Sequence, residues 1–485
     1  MVHYHFVYAL GLLCVLTGCR SGQQVRDPEY AHLSRETYHA TVTPFSAHAT
    51  IAPVDSRLEG PHSVEEYVQV ALQQNPEVQA ARKRMESLAH KVPVAASLPD
   101  PMLTVTAQPA PVQTAAGEQQ FILSASQKLP WAGKLDTQAA VAEAQTNVGR
   151  AQLASVELAT IAKVKRAYYE LYFLQHAIVV TESQQQLLGE IRDVANTRYK
   201  TGRTSQQDVL RADLEISKVE NDLIQLRQQL ASGRARLARL LHIAPESRVE
   251  AVASLPDELL PQNLAALQQQ AVAARPELHA ALATVFRDQH AANLARLDYK
   301  PDVTLGFSWI DVADGGLAKS ANGQDALLLT AGINLPVYKK RLDSSLRSAE
   351  AGAVASARNY DALKDGTLEE VTDLFARTNS HQQMLTLFEE DILPKARQTL
   401  QVSSQAYNVG EVDFLQLIDN WQQLLRYEVN YRRLEANLRQ SLAELEQVVG
   451  GWAAMNSATP AQPEMLPVMP VPVDDPGAAD VPKDE

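Results

Sequence analysis

Two hydrophobic periods alternate along this chain, and they do so twice. From Ser63, which stands as a cap, a helical pattern places Val64, Tyr67, Val68, Ala71 and Leu72 on one face. Asn75-Pro76-Glu77 starts its continuation, and Pro93 is expected to bend or break it. After Pro99-Asp100-Pro101 the period drops to two. Leu103, Val105 and Ala107 alternate with Thr104, Thr106 and Gln108; after a loop rich in Pro, Ala and Gly, Phe121, Leu123 and Ala125 alternate with Ser124 and Ser126. The second half repeats the pair with Val303, Leu305, Phe307 and Trp309, then Leu327, Leu329, Ala331 and Ile333 opposite Thr330, Gly332 and Asn334. Each strand carries one apolar and one polar face over about ten residues, the pattern of an outer-membrane barrel strand, although a soluble sheet packed on helices alternates in the same way.

Between the strand pairs the helical pattern is unusually long. No proline interrupts residues Trp131 to Tyr199, which as one helix would extend about 100 Å. The return helix, Ser205 to Leu241, covers about half of that length. Ser63 to Ser97 and Ser205 to Leu241 together match the long helix, and 263–299 with 413–449 match the long stretch from Val337 to Tyr407. The implied packing is two short helices stacked end to end beside one long helix. In the return helix Val209, Ala212, Ile216, Val219, Leu223, Leu226, Leu230, Gly233, Leu237 and Leu240 follow steps of three and four. The second copy places Leu417, Asn420, Leu424, Tyr427, Tyr431, Leu434, Leu438, Ser441, Leu445 and Val448 at the same steps. This 3.5-residue period predicts left-handed coiled-coil packing, with every seam position in the core.

The hairpin turns are duplicated as well. Tyr199-Lys200-Thr201-Gly202 and Tyr407-Asn408-Val409-Gly410 each end a long helix; the glycines supply the left-handed conformation, and Ser205 and Asp413 cap the next helix, with Asp208 and Gln416 three positions on. The offset between copies drifts only from 200 to 208 residues. Two tandem repeats, 63–241 and 263–450, are therefore expected around a linker at 242–262.

Composition narrows the picture. Forty-four Lys and Arg against 57 Asp and Glu give a net charge of -13, which argues against a nucleic-acid partner and equally serves solubility. Cysteine occurs only at Cys14 and Cys19, so the body of the chain is expected to hold no disulfide. Phe6 to Leu16 is an apolar run too short to cross a bilayer as a helix, and it ends in Leu16-Thr17-Gly18-Cys19. That tetrad resembles the lipobox of bacterial lipoproteins, which implies cleavage after residue 18 and a lipid on Cys19. An ordinary signal peptide would lead out of the cytoplasm too. Residues 1–18 are thus read as a lipoprotein signal peptide, 19–62 as an extended leader, and 451–485, dense in Pro, Ala and Asp, as a disordered tail.

Four amphipathic strands cannot sit alone in a bilayer, because an open sheet leaves unpaired backbone groups facing lipid at several kcal/mol each. Closure takes about eight strands or more, so several chains must contribute. At this point the sequence resembles the TolC-like outer-membrane efflux family across about residues 63 to 450. The resemblance rests on the repeated helix, strand pair and helical hairpin, on Asn75-Pro76-Glu77 and Arg275-Pro276-Glu277, on Leu129-Pro130-Trp131-Ala132-Gly133-Lys134, on Ile392-Leu393-Pro394-Lys395-Ala396, and on the two Tyr-x-x-Gly turns. It implies a mainly α fold with a small β part: a long α-helical barrel with four transmembrane β-strands per chain, closing in a homotrimer into a twelve-stranded barrel. It further implies a passive outer-membrane channel, without enzymatic reaction or cofactor, that serves an inner-membrane pump of the RND type through a periplasmic adaptor. The alternative is a lipid-anchored periplasmic coiled-coil protein without a channel, which leaves the strands without a purpose.

In the family the hairpin tips form a closed periplasmic entrance, and the second tip carries acids that ring it. Asp419, twelve after Tyr407, holds one such position; the other, nine after the tyrosine, is Gln416. Tyr407 and Gly410 belong to the same tip, and Tyr199, Gly202 and Asp208 to the first, where Asp208 is equally read as the third residue of a capping box begun by Ser205. A basic residue that locks the entrance in some relatives falls at Val412, so that lock is not transferred. His279, His290 and His381 are isolated, without ligand spacing, and no metal site is expected. No nucleophile elbow, P-loop or zinc-hydrolase signature appears.

Overall fold

A computed structural model describes Asp27, Glu29, Tyr30 and residues 56–256, 261–317 and 319–451. The expected signal peptide, Cys19, most of the leader and the tail beyond residue 451 lie outside the described residues. Two units separate, 1–57 and 58–485. In the first, the Asp27 carboxylate accepts the backbone N–H groups of Glu29 and Tyr30 at 2.9 and 3.3 Å.

The second unit holds both repeats. A short strand β1 (Gly60–His62) precedes three helices, α1 (Val64–Gln74), α2 (Pro76–Ala89) and α3 (Lys91–Ala96). Ser63 caps α1 by accepting from Glu66 N–H, and Asn75 caps α2 by accepting from Glu77 N–H, with Pro76 at the first helical position. The break expected from Pro93 comes at His90: a proline at 93 can neither donate to the Ala89 carbonyl nor clear it, so α2 stops at Ala89. Strands β2 (Met102–Thr114) and β3 (Gly117–Leu129) follow, then α4 (Lys134–Lys200) and α5 (Gln206–Leu241). The Pro-rich segment read as a loop instead extends β2 to Thr114, past an irregularity between Ala107 and Val112. Pro109 and Pro111 fall inside that irregularity, where no β2–β3 pair is registered and a missing N–H costs the ladder nothing.

The second repeat runs α6 (Leu264–Ala274), α7 (Pro276–Leu297), β5 (Val303–Ala313), β6 (Ala326–Ile333), α8 (Lys339–Leu387), α9 (Leu393–Val409) and α10 (Phe414–Val448), with β4 (Val249–Ala251) before it. The stretch from Val337 to Tyr407 is not one α-helix. Five residues, Phe388–Ile392, form a π-turn just before Pro394, whose missing N–H removes one rung of the ladder.

The long helix α4 has 67 residues, about 100 Å, and packs against α1, α2, α3 and α5, as the stacking arithmetic requires. The joint between the stacked helices is tied: Asn75 Nδ2 donates to the Leu240 carbonyl at 2.9 Å. In the second repeat Gly450 closes the same joint, with φ of 88° and a Cβ direction that ends 2.6 Å from the Ala274 carbonyl oxygen. Any side chain there would drive the helix ends apart. All twenty seam positions are buried or half-buried.

The parallel pair β1 and β4, which sequence periodicity does not reveal at three residues each, is held against α1 and α4. Tyr67 Oη, buried to the point that its pKa is pushed up to about 12, donates to the Glu250 carbonyl at 3.1 Å; Tyr168 Oη donates to the His62 carbonyl at 3.0 Å.

The four long strands form one antiparallel sheet in the order β2-β3-β5-β6. Its register aligns the periods. Leu103, Ala125, Phe307 and Leu329 form one row across all four strands, and Val105, Leu123, Trp309 and Leu327 the next. The opposite face carries Thr104, Ser124 and Ser308, with the two serine hydroxyls 2.9 Å apart. Most large side chains of the apolar face, among them Leu103, Val105, Phe307, Leu327 and Leu329, are exposed.

Candidate functional site at the two hairpin tips

Both turns close by the same chemistry. Gly202 adopts φ of 70° and Gly410 φ of 91°, and the next residue's N–H reaches back five positions, Arg203 to the Arg198 carbonyl and Glu411 to the Ala406 carbonyl, both at 2.9 Å. Asp413 caps α10 by accepting from Gln416 N–H at 2.8 Å. Ser205 caps α5, but it accepts from Gln207 N–H at 2.9 Å and not from Asp208. The Asp208 carboxylate accepts instead from the Thr204 hydroxyl, so the expected capping box is not the arrangement found.

The tips differ in their tyrosines. Tyr199 is 42 % exposed, whereas Tyr407 is 2 % exposed. Tyr407 packs its ring 5.6 Å from Phe414 and lies under the guanidinium of Arg198, whose carbon sits 4.6 Å from the ring centroid. Arg198 also donates to the Tyr407 carbonyl. A cation is thereby placed at the C-terminal end of α9, where the helix dipole favours it. Burial raises the Tyr407 hydroxyl pKa and the Asp208 carboxylate adds to the rise, so the phenol stays protonated.

Asp419 is exposed on the second turn of α10 and has no ion pair or hydrogen bond among the described residues. It belongs to a stripe of exposed polar residues, Gln416, Asp419, Gln423, Arg426 and Asn430, opposite the buried Leu417, Trp421 and Leu424. Trp421 anchors that core by donating from its indole to the Gln184 carbonyl at 3.2 Å. Buried Glu215 ties the two hairpins: it accepts from Gln422 at 2.9 Å and pairs with Lys218 at 2.6 Å. The structure thus brings Asp208 and Tyr407 to one place and leaves Asp419 on a separate, open face. Sequence reasoning missed Arg198, Thr204, Phe414 and Trp421. Of these only Arg198 left a signal, as a basic residue in the last turn of a long helix.

His279 bonds the Ala273 carbonyl at 2.9 Å, and His381 meets the Ser441 hydroxyl at 3.0 Å. Among the described residues no group of three His, Cys, Asp or Glu is placed to hold a metal ion, and no helix is long and apolar enough to cross a membrane.

Helical hairpins about 100 Å long, joined to a four-stranded sheet with one exposed apolar face, define the class of outer-membrane channel subunits built on helical barrels. The sequence pattern of the outer membrane efflux protein family matches residues 67–241 and 267–451, one match per repeat, and the chain belongs to that family. Its members are the outer-membrane channels, not the enzymes, of tripartite efflux systems; they cross the outer membrane into the periplasm and work with an adaptor and an inner-membrane pump. That channel function is the function of this chain. Among its relatives is the cobalt-zinc-cadmium resistance protein CzcC of Cupriavidus metallidurans, 21% identical over 394 residues that span 81% of this chain and 90% of the relative. Among solved structures, the outer-membrane channel OprN superposes with a TM-score of 0.69 at 20% identity, covering 84% of this chain and 98% of its own. CusC superposes with a TM-score of 0.69 at 17% identity, covering 81% and 93%.

Proposed function

We propose that three copies of this chain close their sheets edge to edge into a twelve-stranded barrel and their hairpins into a periplasmic duct, sealed at the tips until an adaptor engages. The observation that carries this reading is the sheet: both edges, β2 and β6, are unpaired among the described residues, and one face is apolar across four strands. Edges in lipid cost several kcal/mol per unpaired group, and a ring of copies removes them. At the entrance, the Asp419 stripe faces the axis and three carboxylates set a cation-attracting constriction, while Tyr407, Gly410 and Asp208 hold each second tip against its own first tip, with Tyr199 and Gly202 shaping that partner.

Cys19 carries the lipid that anchors the leader to the same membrane. The pump is of the RND type, and the kinship with a cobalt-zinc-cadmium resistance protein favours divalent metal cations as cargo. Purified chain reconstituted into bilayers tests the proposal. The expected result is a trimer that resists heat in detergent, shows barrel circular dichroism and conducts ions with cation preference. A monomeric, water-soluble helical protein would overturn it in favour of a periplasmic coiled-coil protein.

A further inference from the structure

The passage from sheet to long helix occurs twice, and the two passages differ in charge. At the first, Lys134 Nζ lies 2.8 Å from Asp298 and 3.6 Å from Asp302. Asp302, only 5 % exposed, also pairs with Lys128 at 2.9 Å and accepts the Trp131 backbone N–H at 3.1 Å. Both lysines of the passage itself, Lys128 and Lys134, are matched by carboxylates.

At the second passage Lys340 stands where the repeat puts Lys134, flanked by Lys339 and Arg341. All three are exposed, and none has a carboxylate within ion-pair distance among the described residues. Asp343, one turn on, is engaged by the Tyr299 hydroxyl. A shallow cleft lies between Tyr338, Lys340, Arg341 and Ser344.

Along the β2 edge, ring closure would bring one acid to three cations. The edge of β6 would meet the edge of β2 on the adjoining copy, and the repeat counterparts of Asp298 and Asp302 there are Leu98 and Met102, apolar and 48 and 66 % exposed. Asp100 is the one carboxylate on that segment, against three cations. The same rim is apolar and aromatic: Leu335, Val337 and Tyr338 are exposed immediately before the cations, and Leu327, Leu329 and Ile333 are exposed on β6 below them.

An apolar surface that ends in an aromatic side chain and then in unneutralised cations matches the cross-section of one leaflet: acyl chain, interface, phosphate. We propose that Lys340 and Arg341 of each protomer, which line the cleft, bind the phosphate of an anionic phospholipid in the periplasmic leaflet at the seam between adjoining copies, with Lys339 adding its charge beside them. The site rests on the membrane-inserted ring described above. Its lipid is held beside the joint that closes the barrel, so it stabilises the trimer.

The test uses the full-length trimer in vesicles of phosphatidylcholine alone or of equal parts phosphatidylcholine and phosphatidylglycerol. Lipids retained per trimer are counted by native mass spectrometry, and the rate of dissociation to monomers in detergent is followed. Wild type is expected to retain phosphatidylglycerol selectively and to dissociate about tenfold more slowly for it. The K339Q/K340Q/R341Q variant should lose both effects, and K339R/K340R/R341K should keep them, which separates charge from folding. Equal retention by wild type and the glutamine variant would overturn the site. Inorganic phosphate alone slowing dissociation as much as the lipid does would identify a free-anion site and overturn the lipid assignment. So would loss of adaptor binding with unchanged lipid retention in the glutamine variant. A chain that forms no conducting trimer sinks the ring reading itself, before any anionic lipid is added.

Discussion

Arg198 and Tyr407, 209 positions apart, join the two hairpin tips of one protomer through a single side chain. The guanidinium covers the tyrosine ring at 4.6 Å and donates to the same residue's carbonyl. A planar cation able to stack and donate at once suits this contact, and a lysine could not do both.

Arg198→Ala should therefore free the second tip from the first. The lost stacking and charge-assisted hydrogen bond are together worth about 2 kcal/mol, and reconstituted channels should spend more time open. Single-channel recording checks this. A conductance and open time equal to wild type would show that the contact does not hold the entrance closed.

Asp419→Ala should weaken cation preference and increase ion conductance through the trimer, because it removes three charges from a narrow axis at once. Reversal potentials in a salt gradient give the readout. Asp208→Ala, by contrast, removes the acceptor of the Thr204 hydroxyl and should loosen the closed state while leaving ion selectivity unchanged.

Asp302→Ala leaves Lys128 without its acid at the base of the sheet, and leaves Lys134, which is largely buried, with Asp298 as its one remaining carboxylate. A cost of about 3 kcal/mol is expected, reduced where Lys128 reaches solvent. The assembled trimer should lose heat resistance, read as monomer on unheated gels. Asp302→Asn, which keeps the acceptor for the Trp131 N–H, should lose less.

Burial and the neighbouring Arg377 hold the His381 imidazole below its ordinary pKa. The sign follows from that depression: above the unfolded value of about 6.5 the ring is neutral in both states, and as pH falls toward the folded value the unfolded chain takes up its proton first. Stability should thus decline on acidification below about pH 6.5, and His381→Gln should flatten part of the decline in denaturant melts. Burial and Arg432 depress His176 in the same direction, so a residual slope is expected.

The parts of this fold that sequence made legible are the ones with a local period. Leu223 and Leu237 follow the 3.5-residue step and are buried; Leu103 and Val105 alternate and fall on one sheet face. Asn75-Pro76-Glu77 marked a helix start through its own capping chemistry. What stayed illegible depends on distant partners. Nothing near Gly60–His62 announces a strand, because its hydrogen bonds come from residue 249 onward. Arg198 gives no hint of Tyr407, and exposed Asp419 reads the same in sequence whether it faces an axis or open water. The π-turn at Phe388–Ile392 was masked by an unbroken helical pattern, although Pro394 marked the place.

The stacked helices have one more consequence, and it is that of bonded masonry. The joint at Asn75 and Leu240 abuts the middle of unbroken α4, and the joint at Ala274 and Gly450 abuts unbroken α8 near Thr367. The π-turn begins about 30 Å further along. Because each break is laid against a continuous course, a wall of such protomers resists bending along its length as if made of whole staves. The π-turn obeys the same rule, since Phe388 packs edge-on against Tyr427 of unbroken α10.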